Sequence, residues 1–431
     1  MRRLAGTNWA LRGCAPFATK DRSSCVGQRS GERPAPRRWR SPSMPLEIRI
    51  PTDAKLIDLE TCLDQIASAP SGTNFSLTLP RNITGRICGP SWVVAVLLTA
   101  ARRGAVKIND THHLWDPAET ERYLQSLEPL AALTYATEFV NTRGEPCPLP
   151  PATRWQQIGE AGGVLEPQSE PGTTDVLGKS LTIAALDPHL PEPGIFAGYT
   201  SKKDVFIKWL QRLRLLRTFL SQLPPLEIVP GRPGVTAQYR LAEYIYEAYS
   251  NTYEHANKTH DNRTIPGLRY IRLRKHIATS GSRVLEYADG FPALATYLQR
   301  IAASAQPTTL FCEIAVGDQG IGIIDHFVQA CPQWSAAAND PAQRLGVLRM
   351  ILRKSLSSKR TIKGAGGGLQ NVAAACEALR AFVTIRTDRY WLFSSYPGDE
   401  TPKVWEEATP GRALAPVSGV HFSCLIPLAG R

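Results

Sequence analysis

Three groups of residues in this 431-residue chain could do chemistry together. The first is Glu247, Asn251 and His255, with Glu243 before them, all spaced by four in LAEYIYEAYSNTYEHA. Residues four apart share one helix face, so a carboxylate, an amide and an imidazole would meet in one stripe. The second is Asp318 with Gly320 and Gly322 in LFCEIAVGDQGIGI. A carboxylate at a strand end can accept a hydrogen bond from an exocyclic amine of a base. Glycines beyond it let the backbone approach a flat ring with no Cβ in the way. The third is Gly364, Gly366, Gly367 and Gly368, preceded by Lys359, Arg360 and Lys363. Exposed amides at a helix N-terminus make an anion site, favoured by the macrodipole. No Lys-Ser/Thr follows the last glycine, so this is not the GxxxxGK[ST] loop. Taken singly, each group has a plainer reading: a solvated helix face, a Gly-rich turn, a flexible loop.

The elements that must position these residues are legible around them. Thr236 can cap the first helix, and Leu241, Ile245 and Ala248 give it a core-facing side. Leu310, Cys312, Ile314 and Val316 alternate as a strand that ends at Asp318. Leu369, Val372, Ala373 and Cys376 form the apolar face of a helix after the glycines. Phe382–Arg386 and Tyr390–Ser394 read as strands, and GVHFSCLIPL as a closing strand. Upstream, residues 44–140 read as a small α/β unit. Phe75–Leu79 is a strand, Pro90–Arg103 a helix closed by Gly104, and Ala105–Ile108 the next strand; Pro117 opens a further helix towards Tyr135. That order predicts a parallel pair with a right-handed crossover. Nine prolines between Pro146 and Pro193 mark residues 141–200 as a linker or an irregular segment over a domain. Ser201 to Leu223 has helical spacing of the core-packing kind. The expected fold class is α/β, in the sense of an α+β sandwich.

The order of the three groups resembles the GHKL superfamily of gyrase-type topoisomerases, heat-shock chaperones, histidine kinases and MutL proteins. Those domains show an N box, then Asp-x-Gly-x-Gly, then Gly-x-Gly-x-Gly-Leu before a helix. Here the matches are Glu247 and Asn251, then DQGIGI, then GAGGGL, within residues 236–427. The resemblance implies a Bergerat fold over residues 201–431: a mixed sheet, helices on one face, and ATP held between helices and a lid. It implies ATP and Mg2+ as cofactors. Asn251 would hold the metal and Asp318 the adenine amino group. Gly320 and Gly322 would line the base pocket. Gly364, Gly366, Gly367, Gly368 and Leu369 would form the mobile lid, with Lys359 able to approach the phosphates. Glu247 stands where hydrolysing members keep a general base. His255 would support the helix. Residues 44–140 also resemble STAS-like domains, although an ordinary small α/β domain shows the same strand, apolar helix and Gly-strand.

Departures from the family pattern matter as well. The segment Asn257–Pro307 is longer than in compact kinase members. It carries Arg263, Arg269, Arg272, Arg274, Lys275 and Arg283, which suggests a basic subdomain or partner surface. No phospho-acceptor histidine box, receiver domain or transducer domain is visible. The expectation is an ATP-binding regulatory protein that hydrolyses Mg-ATP or phosphorylates a protein, acting on a regulatory protein partner and compatible with a homodimer. The alternatives are a nucleic-acid-associated ATPase and a non-hydrolysing ATP sensor.

Bulk properties bound these readings. The net charge of +12 is concentrated in residues 1–43, which carry +8 and lack apolar periodicity. They read as a disordered basic arm or as residues ahead of a true start at Met44. The longest apolar run, Trp92–Ala101, is too short to span a bilayer and reads as a buried helix. Nine scattered cysteines without a Cys-x-x-Cys pair argue against a zinc site or a secreted disulfide framework and fit reduced thiols in a cytoplasmic protein.

Overall fold

Every described side chain from Ser91 to Ala100 is buried. A helix that is apolar all round must be covered all round, and the architecture follows from how that cover is supplied. The structure is a computed structural model. It describes residues 44–80, 87–110, 127–141, 143–146, 163–169, 179–187, most of 240–252, 267–278, 290–304, 309–353, 368–396 and 405–428, with a few single residues between.

One cover is a parallel sheet in the order β1-β2-β3-β4, made by β1 (Leu46–Arg49), β2 (Phe75–Leu79), β3 (Val106–Asp110) and β4 (Glu138–Val140). Between these strands run α1 (Leu56–Ser68), α2 (Gly89–Arg103) and α3 (Leu127–Tyr135). The α1 sequence places Leu56, Leu59, Leu63 and Ile66 on one buried side, at the spacing of an amphipathic helix.

The other cover is an eight-stranded sheet in the order β11-β10-β9-β12-β8-β7-β6-β5. Its strands are β5 (Gly163–Ser169), β6 (Lys179–Asp187), β7 (Gly267–Ala278), β8 (Thr309–Asp318), β9 (Phe382–Asp388), β10 (Tyr390–Ser395), β11 (Glu406–Glu407) and β12 (Val417–Leu428). Ile48, Phe75, Leu77, Val93, Leu97, Leu268, Phe311, Trp391 and Leu425 share one core, so α1 to α3 lie between the two sheets. The helix α4 (Pro292–Ser304) adds Leu294, Tyr297 and Leu298 to the same core.

The opposite face of the large sheet carries a second core. Cys312, Ile314, Val316, Val383, Ile385, Phe422 and Cys424 pack there against helices. These are the helical stretch at 240–252, α5 (Ile323–Ala330), α7 (Pro341–Leu352) and α8 (Gly368–Ala378), with the short α6 (Ser335–Asn339) between α5 and α7.

The α/β class and the strands and helices expected at Phe75–Leu79, after Gly89, at Leu310–Asp318, after Gly368 and in the closing hairpin are present, as is the parallel β2–β3 pair. Three expectations change. Every described pairing in the eight-stranded sheet is antiparallel, so the sheet is not mixed. The proline-rich stretch read as a linker or irregular segment contributes β5 and β6: β6 holds no proline, and Pro167 of the edge strand β5 falls where its register with β6 shifts. The segment read as a basic surface contains β7, a central strand in which Arg269, Arg272 and Arg274 are buried. The helix expected at Ser201–Leu223, the arm at 1–43 and the opening of the Pro117 helix lie outside the described residues. Among the described residues no helix is long and apolar enough to cross a membrane. Six described cysteines are free and buried.

Candidate functional site

Strand β8 delivers Asp318 to the end of the sheet. Cys312, Ile314 and Val316 face the helix layer, so strand alternation puts Asp318 on that side too. The carboxylate is 5% exposed. Its Oδ1 accepts the Gly320 amide at 2.8 Å, and it also accepts the Val420 amide. Burial pushes its pKa up to about 7; the two amides and the nearby Arg269 and Arg102 charges restrain the rise. Arg269 is the cross-strand partner of Asp318 on β7. A carboxylate offers about four lone-pair positions. Two are spent on amides, so capacity remains for a further donor.

Two glycines make this strand end possible. A Cβ on Gly320 would stand 2.7 Å from Ala256 Cα, so the turn after Asp318 seats directly against the chain leaving the 240–252 helix. Gly419 has φ +77°, and a Cβ there would lie 1.8 Å from the Asp318 carbonyl oxygen. It sits where the β12–β9 register shifts between Val417 and Val420. The buried Thr387 hydroxyl donates to Gly419 O at 3.2 Å and closes the site from β9.

The helical stretch at 240–252 turns Leu241, Tyr244 and Ala248 into the core. This leaves Glu243 and Glu247 off that side, with Asn251 at its margin. Glu243 pairs with Arg240 at 2.6 Å. Glu247 Oε1 accepts from Asn371 Nδ2 at 2.9 Å. Asn371 belongs to α8, so this bond ties the first sequence group to the helix that follows the third. Asn251 Nδ2 is buried and has no hydrogen-bond partner, a donor that costs free energy until something accepts from it.

The structure therefore brings together Asp318, Gly320 and the end of the 240–252 helix, and joins Glu247 to α8. Gly322, with φ +87°, is the N-cap of α5, beside Thr387 Oγ1. Gly368 begins α8, and Leu369 packs partly buried against the helix-side core. His255, Lys359, Gly364, Gly366 and Gly367 lie outside the described residues.

Four further residues shape the site and were missed in the sequence: Arg102, Arg269, Thr387 and Asn371. Arg102 stood in plain view as the cation ending an apolar run. Thr387 and Arg269 carried no local signal, because only strand register brings them beside Asp318. Asn371 sits one turn into the helix after the glycines, on the side away from Val372 and Cys376.

The arrangement offers a buried acceptor with spare capacity, a buried amide donor without a partner and a helix N-terminus at Gly368. Comparisons with protein-family models, with curated proteins and with solved structures gave no match.

Proposed function

We propose that the chain is an ATP-binding regulatory protein of GHKL type, which uses Mg-ATP hydrolysis or protein phosphorylation to switch a partner. The observation that carries the reading is the Asp318 carboxylate. It is buried at a strand end, faces the helix layer, and has Gly320 pressed against the end of the helix that bears Glu247 and Asn251. A buried carboxylate is expensive to hold, and a base amine would donate to its spare lone pairs. Asn251 would meet the phosphates or their Mg2+, and Asn371 would hold Glu247 in orientation. When bound, Mg2+ supplies charge neutralisation at the phosphates. The nucleic-acid alternative loses its main support, since three arginines of the basic segment are buried in β7.

Calorimetric titration of the full chain tests this. ATP with Mg2+ should bind, and GTP, which lacks the adenine amino donor, should bind poorly. Asp318→Asn should weaken ATP by about 1–3 kcal/mol, as for a lost charged hydrogen bond. Glu247→Gln should keep ATP affinity while turnover falls by roughly 10²–10⁴, the usual cost of losing a general base. Equal ATP and GTP affinities would remove Asp318 from the site. Wild-type turnover in the Glu247 variant would remove that carboxylate from the chemistry.

A further inference from the structure

The helix α2 belongs to the parallel layer, yet both of its ends are fastened to the strand that carries Asp318 or to the turn beside it. At its N-terminus the Cys88 amide donates to the buried Glu313 carboxylate on β8 at 2.6 Å. Cys88 itself is held at φ +68°. Near its C-terminus, Thr99 Oγ1 accepts the Ser418 amide at 3.0 Å. One turn on, Arg102 Nη1 donates to Gly320 O at 2.9 Å and to Ser418 Oγ at 3.1 Å. Gly320 follows Asp318 by two residues, and Ser418 precedes the glycine that presses on the Asp318 carbonyl.

The two spans match. From Cys88 to Arg102 the helix rises about 21 Å at 1.5 Å per residue. From Glu313 to Gly320 the chain extends about 23 Å at roughly 3.3 Å per residue. The helix thus lies along β8 as a strut, and it cannot slide along its axis without breaking a bond at one end.

We propose that α2 sets the geometry of the nucleotide site from the parallel layer, with Arg102 as the positioning residue that holds the Gly320 and Ser418 turns around Asp318. The proposal rests on reading Asp318 as the base acceptor. It makes residues 44–140 a regulatory element built into the same chain: a ligand or partner that shifts α2 by a fraction of a turn changes ATP affinity without touching ATP. Because Arg102 is exposed as a residue, removing it opens no core cavity.

The test uses the full chain with Arg102→Ala, Arg102→Lys and Thr99→Val. Amide hydrogen exchange at residues 318–322 and 417–421 should quicken in Arg102→Ala, while the melting temperature stays within a few degrees. The Kd for ATP should rise about 5- to 10-fold, the net equivalent of one ordinary hydrogen bond. Arg102→Lys should recover part of that loss, since it restores charge but not the fork. Thr99→Val should raise the Kd in the same direction.

The charged groups reaching Asp318 are Arg269 on β7 and Arg102 on α2, and Asp325 on α5 interacts with Arg102. Removing the Arg102 charge should therefore move the pH midpoint of ATP binding upward, which a purely structural role would not do. Unchanged exchange and Kd in Arg102→Ala, beside a wild type that binds ATP, overturn the proposal alone. A wild type that fails to bind ATP overturns the reading beneath it and the proposal with it.

Discussion

The two faces of the eight-stranded sheet come from the same strands, alternating residue by residue, and both bury apolar side chains, yet one adds a set of buried charged bonds to its packing. Facing α5, α7 and α8 are Cys312, Ile314 and Val316 of β8, Val383 and Ile385 of β9, and Phe422, Cys424 and Ile426 of β12. Facing α1 to α3 are Arg272 and His276 of β7, Glu313 of β8, Arg386 of β9, and His421 and Ser423 of β12, all buried. Arg386, Arg272 and Glu313 are tied across the layer, and His276, His421 and Ser423 bond within the sheet. Arg386 grips Glu60 of α1 with two bonds, at 2.8 and 3.2 Å. Arg272 donates to Glu128 of α3. Glu313 accepts from His276 at 2.7 Å, from Ser423 at 3.0 Å and from the Cys88 amide. Apolar burial is non-directional, so the helix face tolerates small adjustments of its helices. Charged hydrogen bonds are directional, so the polar face fixes one seating of α1, α2 and α3. The face that meets the proposed nucleotide can adjust, and the face behind it is pinned.

The sharpest way to break this contrast is to remove one half of a pinned pair. Arg386 and Glu60 are both 0% exposed. Arg386→Met would strand a buried carboxylate, and breaking such a pair typically costs about 3–5 kcal/mol. That is a large part of a typical domain's 5–15 kcal/mol. The double variant Arg386→Met with Glu60→Leu should recover most of the loss, because a well-packed apolar pair often matches a buried ionic one. Urea unfolding of the wild type and the two variants checks this. A single variant as stable as the double would mean that the buried charges do not depend on each other.

A smaller effect separates the faces by pH. His421, on the pinned face, is pushed down to about 4 by burial and the Arg386 charge, against the pull of the Ser418 carbonyl. Its ring bonds Tyr270 Oη at 3.2 Å and Ser418 O at 3.0 Å, a pattern satisfied by the neutral Nε2–H tautomer. The unfolded chain takes up this proton near pH 6.5 and the fold resists it. Stability from His421 is therefore full above 6.5 and lost as pH falls towards 4, by on the order of 3 kcal/mol. Asp318, on the helix face, runs the other way. Its folded pKa is raised to about 7, so the fold holds the proton that the unfolded chain releases near 3.8. Stability from that proton is full at low pH and is lost as pH rises from 3.8 through 7, by a similar amount. The wild type should thus show a nearly flat unfolding midpoint between pH 4 and 7. His421→Gln should gain stability on acidification and Asp318→Asn should lose it. Parallel slopes in the two variants would overturn the assignment.

Much of the helix face was legible in the sequence, and little of the pinned face. Cys312, Ile314 and Val316 announce themselves by alternation, and Leu241 and Ala248 by helical spacing, because apolar periodicity is a local signal. Asp318 and Gly320 stood out because a charge and two glycines interrupt that pattern. Glu60, Glu313, Arg386 and His276 look like ordinary charges on amphipathic elements. Their partners lie far along the chain, as the Glu60–Arg386 pair shows, and only the fold brings them together. The same blindness turned β7 into an expected basic surface, since Arg269 on one face and Arg272 and Arg274 on the other read as exposed until both faces of the strand are covered. The proline-rich stretch hid β5 and β6 because the prolines around them, and Pro167 within β5, read as breakers.

The smallest effect comes from a matched guanidinium on the helix face. Arg344 of α7 spans two carboxylates as Arg386 spans the two oxygens of one: its Nε donates to Asp388 at 2.6 Å and its Nη2 to Asp325 at 2.7 Å. Its Nη1 also donates to Ala338 O at 2.7 Å. The geometry is as good as that of Arg386, and the difference is water. The Arg344 side chain is 17% exposed, and its partners 37% and 22%. Solvent screens the pair, and its carboxylates can rehydrate when the arginine leaves. Arg344→Lys keeps the charge and loses the fork. It should cost only about 0.5–1 kcal/mol, the range of partly exposed pairs. The loss should shrink further in 0.5 M salt, where the screening length falls to roughly 4 Å. The penalty for Arg386→Met should be nearly the same at both salt concentrations, because no ion reaches a pair sealed between α1 and β9. Urea midpoints for both variants at low and high salt measure the contrast directly. A salt-insensitive Arg344 loss, or one equal to that of Arg386, would show that burial is not what distinguishes the two faces.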